Sequence, residues 1–96
     1  MEISTTQHDG TATISISGWL DTSTSSQLQT AVSELDPSCK KLVIDLAELE
    51  YISSAGLRQL VAAHKKMAGA LTIEHVNSDV LDILRMAGFD KRLNIV

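Results

Sequence analysis

The chain is short of several residue types, and each shortage excludes a class of protein. Its 96 residues contain one cysteine, one proline and one each of Trp, Tyr and Phe. The single cysteine, Cys39, cannot form an internal disulfide, which favours a reducing, cytoplasmic setting. No apolar stretch approaches the length of a membrane span, and the N-terminus lacks the apolar segment of a signal peptide.

Positive charge is also scarce. Eight Lys and Arg residues stand against twelve Asp and Glu, which gives a formal net charge of −4. The basic residues never form a run longer than two. Because nucleic-acid-binding domains concentrate positive charge, this composition argues against a nucleic-acid partner.

Aliphatic side chains are what the chain has in quantity. Apolar residues make up 44% of it and aromatic residues only 3%, so the core must consist of Leu, Ile, Val and Ala. A chain of this length is sufficient for one core. We therefore expect a single domain over residues 1–96.

The apolar periodicity predicts strands alternating with helices. Strands are indicated at 2–7, 11–17, 41–46, 70–76 and 93–96, with a hairpin at Asp9-Gly10 between the first two. Three helical stripes lie between the later strands. The order ββαβαβαβ predicts an α/β domain with one mixed sheet, antiparallel at its first strand and parallel afterwards. The residues expected to be buried are Leu28, Val32, Ile44, Leu60, Val61, Ile83 and Leu84.

Two adjacent serines, Ser53 and Ser54, lie where the third predicted strand meets the second helix. Backbone N–H groups at a helix start have no partner within the helix, and the helix dipole is positive there. A hydroxyl at this position can cap the helix, and the same position can hold a phosphate, either from a ligand or attached to a serine. The residues alone leave both interpretations open.

Three nearby residues likewise allow both a structural and a functional interpretation. Gly56 can let a partner backbone or a phosphate approach, or can merely ease close packing of helix on strand. Asp21 ends the neighbouring parallel strand, so it is expected at the same sheet edge, where it can contact a partner or cap the first helix. Arg58 lies one turn beyond Ser54 and can pair with a phosphoserine.

The segment around the serines resembles the signature of STAS domains, most of all that of bacterial anti-sigma factor antagonists. The family pattern Asp-Ser-Ser/Thr/Ala-Gly-Leu corresponds to Ser53-Ser54-Ala55-Gly56-Leu57. Two further family elements, Gly-x-Leu-Asp and Met-x-Gly-Phe/Leu, correspond to Gly18-Trp19-Leu20-Asp21 and Met86-Ala87-Gly88-Phe89. The three elements occur in the family's order. The chain departs from the pattern in having Ser53 where the family usually has an aspartate.

The resemblance implies a STAS fold and a role as a binding switch that is not an enzyme. In such a pathway the unmodified protein binds an anti-sigma factor that is also a serine kinase, and the sigma factor is released. The kinase phosphorylates Ser54, or alternatively Ser53, with ATP; this ends binding until a metal-dependent serine phosphatase restores it. The ATP belongs to the partner, so no cofactor is implied. The implied partner surface consists of Asp21, Thr22, Ser53, Ser54, Ala55, Gly56, Leu57 and Arg58.

Other interpretations remain beside this one. A STAS subunit of a lipid-transport ABC system would use the same surface for packing without phosphorylation. Many relatives carry a further helix after the position of Val96, so some surface is expected to be uncovered and available for self-association. A Ser–His hydrolase is disfavoured because nothing places His8, His64 or His75 beside Ser54, and the scattered histidines disfavour a metal site.

Overall fold

The chain folds as two layers, one sheet and one layer of three helices. The structure is a computed structural model and describes residues 1–96. In chain order its elements are β1 (Glu2–His8), β2 (Thr11–Leu20), α1 (Ser25–Ser33), β3 (Lys41–Ile52), α2 (Ser54–Lys66), β4 (Leu71–Glu74), α3 (Ser78–Met86) and β5 (Asn94–Ile95). The strands lie side by side in chain order, β1 antiparallel to β2 and all other neighbours parallel. The predicted α/β class and mixed sheet are confirmed.

The hairpin between β1 and β2 forms where the sequence predicts it. Asp9 and Gly10 both have positive φ angles, 51° and 81°, and His8 pairs with Thr11 across the turn. Two residues of positive φ make a type I′ turn, whose twist suits two antiparallel strands.

The core lies between the two layers. Since β2 to β5 are adjacent in chain order, right-handed crossovers place all three helices on the same face of the sheet. In β2 the side chains of Ala12, Ile14 and Ile16 point towards the helices and are buried. Nineteen buried apolar residues from the sheet, the helices and Leu93 form one continuous cluster. The opposite face of the sheet carries no helix.

The predicted core is right at its centre and wrong at its margin. Five of the seven residues expected to be buried are buried, namely Leu28, Val32, Ile44, Leu60 and Leu84. Val61 and Ile83 are only partly buried and pack against the cluster from outside. In a two-layer fold only a narrow stripe of each helix meets the sheet, so their helix flanks stay near solvent.

Strand β3 runs six residues beyond the predicted 41–46, to Ile52, and this extension contains two irregularities. Ser15 pairs with Asp45 but Ser17 with Glu48, and one residue after Leu49 is likewise extra relative to β2. These are β-bulges, each with one more residue on β3 than on its neighbour. Side chains bond the backbone in this stretch: Ala47 N–H donates to Asp45 Oδ1 (2.9 Å), and Asn77 Nδ2 donates to the Leu49 carbonyl (2.6 Å). The bulges let β3 run on to Ile52 beside Leu20 of β2.

Candidate functional site

The two loops that carry the predicted site residues leave the sheet side by side. Strand β2 ends at Leu20 and β3 at Ile52, and these two residues are partners in the parallel ladder. Immediately beyond them, Ser53 N–H donates to the Leu20 carbonyl (2.9 Å). We call this border of the sheet the carboxyl edge. It brings the loop that starts at Asp21 next to the start of α2, as parallel strands require.

The two serines at the start of α2 have different surroundings. Ser53 is the N-cap: its backbone is extended (φ −93°, ψ 174°), and its Oγ accepts a hydrogen bond from Gly56 N–H (3.3 Å). Ser54 is the first helical residue, is exposed, and its hydroxyl makes no hydrogen bond. Ser53 therefore holds the helix end, while the Ser54 hydroxyl is exposed and makes no bond.

Gly56 is required by packing. A Cβ atom at this position would lie 2.8 Å from Leu20 Cγ, the Leu20 carbonyl oxygen and Ile52 Cγ1. Side chains do not approach a backbone carbonyl that closely, so only glycine allows α2 to start against the ends of both strands. Gly56 is buried and Leu57 is only 4% exposed. These two residues face the core, whereas Ser54 and Arg58 face solvent.

Asp21 organises the entry into α1. Its Oδ1 accepts hydrogen bonds from the Ser23 hydroxyl (2.7 Å), the Thr24 hydroxyl (3.1 Å) and both of their N–H groups. The bond from the Ser23 hydroxyl is the main cause that lowers the pKa of the Asp21 carboxyl. Desolvation opposes it, and the bonds from Thr24 and from the Ser23 N–H group add to the lowering. Asp21 therefore holds the turn that leads into α1; the N-cap position itself is Thr24, and no side chain caps this helix. Thr22, next to it, is exposed at the same edge.

The electrostatic setting of Ser54 favours an added negative charge. No acidic residue lies in the first turn of α2, whose free N–H groups form the positive end of the helix dipole. Arg58 is exposed, forms no salt bridge and lies four residues further along, on the same side of the helix. A phosphate on Ser54 would meet a helix N-terminus and a free guanidinium and would find no carboxylate on the helix.

Comparison with known proteins identifies the family. A family profile described as "Mlab, STAS domain" matches residues 3–96. The chain belongs to the STAS domain family. The predicted resemblance is confirmed.

Individual relatives of this STAS chain are named for one role. BtrV of Bordetella bronchiseptica, named as a candidate anti-sigma factor antagonist, is 27% identical over 93% of this chain and 80% of its own length. The anti-sigma-F factor antagonist RsfB of Mycobacterium tuberculosis is 35% identical over 68% of this chain, and the match spans 54% of that protein, about half its length. The crystal structure of an anti-sigma factor antagonist from Mycobacterium paratuberculosis superposes with a TM-score of 0.80, at 25% identity, over 98% of this chain and 83% of that one.

The departure of this STAS chain from the family signature has a structural explanation. Where the family usually has an aspartate, Ser53 supplies the oxygen that caps α2. Asp and Ser are about equally good at an N-cap, so the substitution keeps the cap and removes a negative charge beside Ser54. The local structure of the signature is retained.

The residues alone did not indicate one feature of the carboxyl edge, an exposed aromatic pair. Trp19 and Tyr51 are partners in the ladder, with ring centroids 5.0 Å apart and planes tilted by 42°. They are 55% and 39% exposed and point away from the helices, because Leu20 and Ile52, the next residue of each strand, point inward. Each aromatic residue directly precedes a buried residue of its strand, and alternation of side chains therefore places it on the opposite, open face. The bulges in β3 break this alternation and conceal the signal in the sequence.

The histidines lie apart from the serines of the signature. No cluster of three or more His, Cys, Asp or Glu side chains is arranged to hold a metal ion. His8 contacts Asp9 and His75 contacts Asp45, and neither serine of the signature bonds a histidine. None of the helices combines the length and the apolar character that crossing a membrane requires.

Proposed function

We propose that this STAS domain is an anti-sigma factor antagonist that is switched off by phosphorylation of Ser54. The observation that carries the proposal is the contrast between the serines: the Ser53 oxygen is engaged in the helix cap and the exposed Ser54 hydroxyl is free. The names of its relatives support the antagonist role. The proposed role is one of binding, with catalysis left to the partners.

The proposed partners are an anti-sigma factor with serine kinase activity and a metal-dependent serine phosphatase. The unmodified chain binds the anti-sigma factor, and the sigma factor is released. The kinase then transfers the γ-phosphoryl group of its own ATP to Ser54 Oγ, with ADP as the leaving group. Because bacterial transcription takes place in the cytoplasm, the proposed function requires a cytoplasmic location.

Fewer residues are proposed to touch the partner directly than the sequence predicts. The exposed side chains at the carboxyl edge, Thr22, Ser54 and Arg58, are suited to touch the partner directly. Gly56 and Leu57 are buried, and Asp21 and Ser53 are bound to backbone groups. In this proposal those four residues act by fixing the position of the exposed ones.

A phosphate on Ser54 changes binding more than folding. It adds about −1.5 to −2 charges at neutral pH. The helix N-terminus favours such a charge by roughly 0.3–1 kcal/mol, so the fold is expected to persist. The partner surface that packed against the edge would have to desolvate the new charge. A loss of about 3 kcal/mol of binding free energy corresponds to roughly a hundredfold in affinity.

The test is mass spectrometry after incubation with the cognate kinase and ATP, combined with binding measurements. We expect one phosphate on Ser54, none on the Ser54→Ala variant, and retained partner binding by that variant. Ser54→Asp is expected to keep the fold and to bind roughly a hundredfold more weakly. Ser78→Asp is the matched control, since Ser78 is exposed and is the first residue of another helix, α3.

Each alternative has its own outcome. A phosphate on Ser53 alone would move the switch by one residue. No phosphate on either serine, with binding unaffected by Ser54→Asp, would contradict the proposal and favour a structural subunit of a lipid-transport ABC system.

A further inference from the structure

The sheet face opposite the helices is uncovered and ends in large exposed rings. Along β2 this face carries Thr13, Ser15 and Ser17, which are each partly exposed. The last residue of β2 on this face is Trp19. Trp19 and Tyr51 are the only Trp and the only Tyr of the chain, and both are exposed here. Exposed aromatic rings of this kind are enriched where proteins contact one another.

The second bulge of β3 creates this pair. Gly18 pairs with Leu49, and the extra residue Glu50 then shifts the register so that Tyr51 stands beside Trp19. The rings contact each other at a centroid distance of 5.0 Å and no helix covers them. A two-ring platform therefore stands exposed on the open face.

Acidic residues precede the platform on the same strands: Glu48 and Glu50 lie just before Tyr51 on β3, and Glu2 of β1 pairs with Ser17, two residues before Trp19. A depression of about 340 Å³ is floored by Ser15 and Ser17 and bordered by Glu2, Asp45 and Glu48. An adjoining depression of about 520 Å³ shares Glu2 and Glu48 and adds Glu50. No Lys or Arg lines either depression, and the Met1 amino group is the only cation there.

These carboxylates are available to a partner. Asp45 already contacts His75 Nδ1 (3.1 Å) and the Ala47 N–H group, but Glu2, Glu48 and Glu50 form no salt bridge. The lysine of β3, Lys41, lies at the opposite end of the strand, about 20 Å from Glu48 at the usual rise per residue. The positive groups Arg58, Lys65 and Arg92 instead border a groove beside α2.

We propose that this acid–aromatic face, made of Glu2, Trp19, Asp45, Glu48, Glu50 and Tyr51, docks an arginine-bearing segment of another protein. A guanidinium group stacks flat on an aromatic ring and bonds carboxylates with two parallel hydrogen bonds. The face offers both partners within one surface. Lysine has the same charge but cannot stack or bond in this planar way. The proposal does not rest on the proposed function.

The test uses Trp19, the single tryptophan, as the reporter. The intact chain is titrated with a short peptide of alternating arginine and glycine at about 150 mM salt, where loose charge attraction is screened. We expect a saturable change in Trp19 fluorescence. Amide NMR shifts are expected to be concentrated on β1, β2 and β3 and absent from the helices. A lysine–glycine peptide should bind several-fold more weakly, and a citrulline–glycine peptide should not bind.

Matched variants separate this face from general charge. Tyr51→Ala and the double variant Glu48→Gln/Glu50→Gln are each expected to weaken arginine–peptide binding by about five- to tenfold, as measured by NMR titration. The control Glu34→Gln/Asp82→Asn makes the same change of net charge at exposed positions on the helical side and should leave binding unchanged. Ser54→Asp should also leave arginine–peptide binding unchanged, so this test is independent of the proposed phosphorylation of Ser54.

Three outcomes would overturn the proposal. The first is equal affinity for the arginine and lysine peptides. The second is an equal loss of binding in the control and the Glu48/Glu50 variant. The third is sedimentation showing that the chain self-associates in a way abolished by Tyr51→Ala, which would make a second copy of the chain the occupant of this face.

Discussion

Ser53 and Ser54 are neighbours in the chain but differ in what their hydroxyl groups do. The Ser53 oxygen bonds a free N–H group at the start of α2, and the Ser54 hydroxyl bonds nothing. Ser53→Ala is therefore expected to lower the free energy of unfolding by about 1 kcal/mol. Ser54→Ala should stay within about 0.5 kcal/mol of the parent. Urea unfolding of the two variants makes the comparison, and equal losses would mean that the cap is assigned to the wrong residue.

Asp21 makes stability at this edge depend on pH. Hydrogen bonds from Ser23 and Thr24 lower the pKa of its carboxyl in the folded state. The bonds therefore stabilise the fold at any pH above the unfolded-state pKa of about 4, and this contribution is lost as the pH falls through the lower folded-state pKa.

Asp21→Asn tests this pH dependence. The variant is expected to be less stable than the parent near neutral pH, and the difference should shrink below about pH 4. Chemical unfolding at several pH values measures it. Asp36, whose pKa is also lowered by hydrogen bonds from Ser38, is present in both proteins and cancels in the comparison. A difference that does not vary with pH would contradict the assignment.

Among the elements, the link from α2 to β4 contains a strained position. The helix ends at Lys66, and Ala68 has a φ angle of +52° followed by Gly69 at +87°. Glycine is the residue most often found in the left-handed conformation after a helix, so Gly69 is the expected one; the left-handed backbone nevertheless begins one residue earlier, at Ala68. A side chain in this conformation costs about 1 kcal/mol or more.

Ala68→Gly is expected to raise the free energy of unfolding by about 0.5–1 kcal/mol, because relief of strain outweighs the greater freedom of glycine in the unfolded chain. Ala62→Gly is the matched control: it lies exposed within α2 and should lose about 1 kcal/mol. Thermal and urea unfolding give both values. Destabilisation by both changes would show that Ala68 is not strained.

Local chemistry made several elements predictable from sequence. Asp9-Gly10 can adopt positive φ angles cheaply, so the hairpin is specified by two residues. Asn77 caps α3 through its bond from Val80 N–H (2.9 Å); it is one of the two residues, with Ser78, that the start of the helical stripe indicates. Where a few neighbouring residues decide the backbone, the sequence is sufficient.

Strand β3 shows why the remainder was not predictable. Its buried residues Leu46, Leu49 and Ile52 are three apart, which breaks the alternation that marks a strand. The bulges that cause this spacing depend on pairing with β2 and on the side chains of Asp45 and Asn77. The aromatic pair was missed for the same reason, since Tyr51 reaches Trp19 only through the second bulge. Ser53 and Ser54 likewise could not be told apart until the backbone showed which one precedes the helix.

At the scale of the whole molecule, the two layers differ in charge. The open sheet face has Glu2, Glu48 and Glu50 at one end, and the groove beside α2 is bordered by Arg58, Lys65 and Arg92. The net charge of −4 is therefore unevenly distributed. A partner that touches Ser54 at the carboxyl edge meets the boundary between the two regions, which gives electrostatics a way to set its orientation.

The single core makes the whole domain sensitive to a change at its centre. Leu60 is fully buried between the layers, whereas its neighbour Val61 packs against the core from the side. Leu60→Ala is expected to cost about 2–5 kcal/mol, the usual range for emptying a buried site. Val61→Ala should lower the free energy of unfolding by about 1 kcal/mol, because the Val61 side chain is only partly buried in the folded protein.

Urea unfolding followed both by Trp19 fluorescence and by circular dichroism measures these two losses. Because the nineteen buried residues form one cluster, the two signals should change together in the parent and in both variants. Trp19 reports the carboxyl edge, and circular dichroism reports the helices and strands as a whole. Separate transitions would mean that the layers unfold independently, and a smaller loss for Leu60→Ala than for Val61→Ala would mean that α2 presents a different face to the sheet.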